Sequence, residues 1–252
     1  MIDTHCHLTD PRLGDQLASV LSRAHSAGVG RMISIGTGLE DDLAVIALCA
    51  KLPNVRCAIG VHPNYTAETS LSDLPRLREM QSAPSVVALG EMGLDYHYDR
   101  SPRDKQKAVF EYQLQLAADL NRPVVIHCRE ATDDCLAMMR NFPSVRADFH
   151  CFTGTVPEAK QILAAGYMLG FTGAITFKKN EELREVVKLT PIDRLLVETD
   201  APYLTPEPMR KQKTNEPALV IHVARLVAEI KGMEYAEFDE VAEKNATAFF
   251  GW

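Results

Sequence analysis

The stretch MIDTHCHLTD, residues 1–10, sets two histidines directly behind a short apolar start. In an extended segment side chains alternate faces, so His5 and His7 share one side while Thr4 and Cys6 take the other. Two imidazoles in one small volume repel if both are charged. The pair therefore suits neutral rings that offer lone pairs to a cation. A strand carrying two unrelated histidines is the plainer alternative, and the rest of the chain has to decide.

The same kind of segment recurs. Runs rich in Val, Ile and Leu stand at Ile2–His7, Arg31–Gly36, Val55–Gly60, Val86–Glu91, Pro123–His127, Arg146–His150, Tyr167–Thr172 and Arg194–Thr199, which predicts eight strands. Helical spacing fills the intervals, as in Leu17, Val20, Leu21 and Ala24, with Gly28 as the stop. After the fourth run Ser101 is expected to cap a helix, with Pro102 in its first turn and Phe110, Leu114 and Ala117 on one face. Another helix is expected from Pro217 to Gly232.

Eight strand-then-helix units in 252 residues average about 31 residues each, the size of a βαβ repeat. The fold expected is α/β, a TIM (β/α)8 barrel, forming one domain over residues 1–252. An open doubly wound sheet is the alternative, but it normally announces itself with a Gly-rich phosphate loop, and no G-x-G-x-x-G pattern occurs.

Composition narrows the classes. Hydrophobic residues make up 46% and charged residues 24%, enough for a sizeable core. The net charge of −7 argues against a broad basic face laid along nucleic acid. It leaves room for a phosphate-bearing substrate, because metal ions can supply local positive charge. No run reaches membrane length and the chain starts directly in the first strand, so no membrane association and a cytoplasmic location are expected. Six cysteines, with no Cys-x-x-Cys, are expected as reduced thiols. Cys6, Cys128 and Cys151 each adjoin a histidine and are expected to point away from it as small buried residues.

In a barrel of this kind functional groups belong at the carboxyl ends of strands. Those ends here are His5-Cys6-His7, Gly90-Glu91, His127, His150 and Glu198-Thr199-Asp200. Any one of them alone could be a rim histidine or a helix cap. Together, four histidines and two carboxylates supply the N and O donors that suit zinc or manganese. Six ligands exceed the needs of one tetrahedral ion, so two divalent ions are expected, with Glu91 as the candidate bridge.

The chain resembles the TatD-type metal-dependent deoxyribonucleases, a branch of the amidohydrolase barrels. The resemblance spans its length and rests on DTHCHL (3–8), IGVHP (59–63), GEMGLDY (90–96), HCRE (127–130), HCFTG (150–154), ETDAPYL (198–204) and NEP (215–217). It implies metal ligands at His5, His7, Glu91, His127, His150 and Asp200, the set reached from strand ends. It also implies 3′-end deoxyribonuclease action, with magnesium or manganese as the working ion and zinc as the tight binder. One departure is Glu130, where the family commonly has Asp; it is expected as a first-turn carboxylate of the next helix.

Metal-assisted phosphodiester hydrolysis on DNA or another phosphodiester follows as the expected function, with Asp200 as proton acceptor and Glu91 also catalytic. His62 is expected near substrate phosphate or behind a ligand, and Arg129 as a phosphate clamp. Lys178, Lys179, Arg210, Lys211 and Lys213 could guide a polyanion or form a solvated loop, while His25, His97 and His222 read as structural or surface residues. The rival reading is an ester or amide hydrolase of the same superfamily, such as a D-aminoacyl-tRNA deacylase. Barrel hydrolases that bridge their ions with a carboxylated lysine are disfavoured, since no Lys lies between Lys51 and Lys105. A metal-buffering protein is the non-enzymatic alternative. The residues say nothing of oligomeric state.

Overall fold

A computed structural model describes residues 1–98 and 100–252. Its strands are β1 (Ile2–Cys6), β2 (Arg31–Ile35), β3 (Val55–Ile59), β4 (Val86–Asp95), β5 (Val124–Arg129), β6 (Ala147–Phe149), β7 (Met168–Phe171) and β8 (Leu195–Val197). Among the described residues the helices are α1 (Pro11–Gly14), α2 (Leu17–Ser26), α3 (Leu39–Cys49), α4 (Pro75–Met80), α5 (Arg103–Leu120), α6 (Thr132–Met139), α7 (Val156–Ala164), α8 (Glu181–Leu189), α9 (Val220–Lys231) and α10 (Tyr235–Phe250). The strands run parallel in chain order, β1 to β8, in one sheet, and the fold is a TIM (β/α)8 barrel.

The chain divides into two compact units, one of residues 1–34 with 151–252 and one of residues 35–150. In the first, the residues after β8 close onto β1. The His7 N–H donates to the Ala201 carbonyl at 2.7 Å and the Asp200 N–H to the His5 carbonyl at 2.9 Å. Ile2, Ile33, Phe171 and Phe238 are fully buried there. The helix expected from Pro217 begins as a 3₁₀ turn over Pro217–Leu219 and becomes α9 at Val220, ending at Gly232 with φ 67°.

In the second unit β4 is the long strand, fully buried along its ten residues. It outruns the expected end at Glu91, since Gly93, Leu94 and Asp95 pair with His127, Cys128 and Arg129 of β5. Two glycines permit this close pairing. Gly90 and Gly93 have φ of +124° and +140°, and a Cβ on Gly93 would meet the His127 carbonyl oxygen at 2.0 Å.

Three local expectations are corrected. Ser101 does not cap α5, because Pro102 in an extended conformation occupies the position before Arg103. The Ser101 hydroxyl instead accepts from the Ala67 N–H at 2.9 Å and donates to the Asn64 carbonyl at 3.2 Å. Glu130 precedes α6 with φ 55° and pairs with His97 Nδ1 at 2.6 Å rather than joining the first turn. Of the three cysteines beside histidines only Cys6 is fully buried; Cys128 and Cys151 are half-buried.

Candidate metal centre

In the first unit His5, His7 and Asp200 each bring a donor atom within 4.8 Å of the others. His5 Nε2 and His7 Nε2 face each other at 3.3 Å, as alternation along β1 requires. Asp200 Oδ1 lies 3.4 Å from His7 Nε2 and 3.8 Å from His5 Nε2. Its backbone is left-handed, φ 53°, a conformation uncommon for a residue other than glycine.

The loop holding that conformation is tied down from two sides. Asp3 accepts the Thr199 hydroxyl at 2.6 Å and the Thr199 N–H at 2.9 Å. Burial, opposed by these bonds, pushes the Asp3 carboxyl up to about 8. Asn215 donates from Nδ2 to the carbonyls of Thr199 and Tyr203 at 2.9 and 2.6 Å, and its neighbour Glu216 pairs with Arg23 of α2 at 2.6 Å. The NEP stretch thus fastens the Asp200 loop to the scaffold. Glu198 is fully buried and accepts the Cys151 N–H at 2.6 Å, a structural position consistent with its lying deeper than Asp200.

In the second unit three imidazoles surround one carboxylate oxygen. Glu91 Oε1 lies 2.8 Å from His127 Nδ1, 2.8 Å from His150 Nε2 and 3.3 Å from His62 Nε2. Burial raises the Glu91 carboxyl, but the charges of His150 and His62 and the bonds from His127 and His150 overcome it, holding it well below the usual range. His62 accepts the Asn64 N–H on Nδ1 at 3.0 Å, so its neutral ring carries the proton on Nε2, toward Glu91. Burial lowers the His62 pKa. His62, Glu91 and His127 offer donor atoms within 4.8 Å of one another, but with Nδ1 accepting the Asn64 N–H and the proton on Nε2 His62 has no lone pair left for an ion, so it stands beside the candidate ligands.

Asp95 escaped the sequence reading. Its Oδ2 accepts from His127 Nε2 at 3.0 Å, and its Oδ1 accepts the N–H groups of His97 and Tyr98, both at 3.0 Å. Burial raises its carboxyl, yet the His127 bond and these amides prevail and hold it at about 2. A signal was present: at four residues from Glu91, Asp95 shares its face once the strand is carried through the glycines.

Arg129 ends β5 exposed, its guanidinium 4.9 Å from the centre of the Tyr98 ring. Lys178, Lys179, Arg210, Lys211 and Lys213 are all exposed, and Arg210 lies over the ring of Phe177, next to Lys178, at 3.9 Å.

A family model described as TatD related DNase matches residues 2–251. A metal-dependent hydrolase of Bacillus subtilis (strain 168), YabD, described as uncharacterized, is 38% identical over 252 residues, covering 99% of this chain and 98% of its own. The 3'-5' ssDNA/RNA exonuclease TatD of Erwinia tasmaniensis is 37% identical over 257 residues, covering 99% of both. The crystal structure of YJJV, a TatD homolog from Escherichia coli K12, superposes with a TM-score of 0.94 at 29% identity, covering 100% of this chain and 98% of that one. With the whole-length match joined to a barrel whose strand ends carry imidazole and carboxylate clusters, the chain belongs to the TatD-related DNase family and is a metal-dependent hydrolase.

Proposed function

We propose that this protein hydrolyses phosphodiester bonds of single-stranded DNA or RNA from a 3′ end, as a single domain over residues 1–252. The observation that carries the reading is Glu91 Oε1 ringed by His127, His150 and His62. A carboxylate held ionised among imidazoles suits a divalent cation. The names of the exonuclease relatives supply the substrate class and polarity.

Two ions are proposed, magnesium, manganese or zinc. The donor sets fit, because His5, His7 and Asp200 offer donor atoms within 4.8 Å of one another and Glu91 Oε1 lies 2.8 Å from both His127 Nδ1 and His150 Nε2. His5, His7 and Asp200 would hold one ion, and Glu91, His127 and His150 the other, with His62 beside them. When bound, the ions lower the pKa of water and neutralise phosphate charge. Asp200 takes the proton of the attacking water, since its carboxylate is partly exposed and its loop is pinned by Asp3 and Asn215. Asp95 fixes the orientation of His127. Arg129 pairs with a phosphate oxygen through its planar fork.

No described helix is long and apolar enough to cross a membrane. Six cysteines that form no disulfide among the described residues support a cytoplasmic setting. The test is turnover of a 5′-labelled single-stranded oligonucleotide, a duplex and a D-aminoacyl-tRNA by one metal-loaded preparation, with a metal-stripped control. A ladder shortening from the 3′ end of the single strand is expected. Inert oligonucleotide with release of the aminoacyl group would replace this reading by the deacylase, which no observation favours.

A further inference from the structure

Two tyrosines stand in the segment that follows Asp95, and they differ in kind. Tyr96 is anchored, its hydroxyl donating to Asp134 Oδ2 at 2.6 Å and the Arg103 guanidinium lying 4.0 Å from its ring centre. Tyr98 is 41% exposed, and its hydroxyl makes no hydrogen bond among the described residues. Yet this ring is not loosely placed, because the Tyr98 N–H is held by Asp95 Oδ1 at 3.0 Å. The carboxylate that orients His127 thus also positions Tyr98.

Positive charge gathers over the same ring. The guanidinium carbons of Arg129 and Arg100 lie 4.9 and 5.1 Å from its centre. Arg129 carries no ion pair among the described residues, so its fork is available to an anion. It follows His127 by two residues on β5 and shares its face, a step of about 6.6 Å. An exposed aromatic ring with guanidinium groups over it, one short step from candidate metal ligands, matches the two halves of a nucleotide: a flat base and a phosphate.

We propose that Tyr98 is a base-stacking shelf for a nucleotide next to the scissile phosphate, with Arg129 pairing that nucleotide's phosphate. This inference rests on the nuclease reading and deepens it. A shelf of this kind takes a base only when it is unstacked from its neighbours, so it selects single strands over duplex. It accepts every base alike, because each has a π-face.

Equilibrium binding of a fluorescent single-stranded oligonucleotide, with Ca²⁺ in place of the working ion to suppress cleavage, tests it. A set of oligonucleotides carries one abasic position each, moved along the chain. The wild type should lose about tenfold in affinity when the abasic position falls on the shelf. Tyr98→Ala should bind the intact oligonucleotide weaker by that factor and become indifferent to the abasic position. Tyr98→Phe should behave as wild type, because the ring and not the hydroxyl is used. Tyr98→Ala with unchanged affinity, or with weakened affinity and intact abasic discrimination, overturns the shelf. If either occurs while wild type still shortens the oligonucleotide, the nuclease reading stands alone. If wild type neither binds nor cleaves it, both fall together.

Discussion

Asp200 and Asp95 divide the work that carboxylates do at such a site. Asp200 meets His5 and His7 through one oxygen and has a partly exposed side chain, so Asp200→Asn keeps the shape and tests the proposed role as base. Loss of a general base costs about a hundredfold to ten-thousandfold in rate. We expect kcat to fall by that range with KM nearly unchanged, read by steady-state kinetics on a variant whose metal content is checked by elemental analysis. Near wild-type kcat would remove Asp200 from proton transfer. Asp95 instead holds His127 from behind. Asp95→Asn should weaken metal retention about 10- to 100-fold in chelator competition. Unchanged retention would show that His127 needs no such support. Neither residue's geometry is plain from the sequence: nothing in the residue pattern announces that Asp200 takes a left-handed backbone.

Strand ends were the legible feature at the scale of elements, because a parallel sheet with crossover helices exposes functional groups only where strands finish. His5, Glu91, His127 and His150 were selected that way, and the structure brings Glu91, His127 and His150 together. The reading failed where backbone detail decides: Gly90 and Gly93 let β4 run past Glu91 to Asp95, and Pro102 moves the start of α5 beyond Ser101. α3 hides another such detail. Asp42, in its first turn, is fully buried; its Oδ1 accepts the Gly60 N–H at 3.2 Å and its Oδ2 has no hydrogen-bond partner. Burial raises its pKa well above 3.8, the Gly60 bond offsetting only part and Asp41 adding to the rise. The folded chain therefore keeps a proton that the unfolded chain releases above pH 3.8. Stability falls as pH climbs from that value toward the raised pKa, by up to about 1.4 kcal/mol per pH unit. Asp42→Asn removes this dependence, so its Tm should gain on wild type as pH rises above about 4. Parallel Tm curves in calorimetry would mean that Asp42 is ionised in the fold.

For the whole molecule, charge poses the remaining problem, since a chain of net charge −7 has to meet a polyanion. A broad basic surface is not available to it. On the proposed reading, attraction comes from bound metal and from a few local cations, among them the exposed Arg129, Lys178, Lys179 and Arg210. Each phosphate neutralised on a single strand adds about −0.7 to the slope of log K against log salt, so three contacts give a slope of about −2. A protein that covers many phosphates shows about −10. We therefore expect oligonucleotide binding to weaken only gently with salt. Arg129→Ala should make the slope shallower by about 0.7, while Tyr98→Ala should lower affinity and leave the slope unchanged, because stacking releases no counterions. A steep slope in wild type would mean that a basic surface, and not the ion site with its few cations, supplies the attraction. A slope unmoved by Arg129→Ala would mean that this guanidinium touches no phosphate.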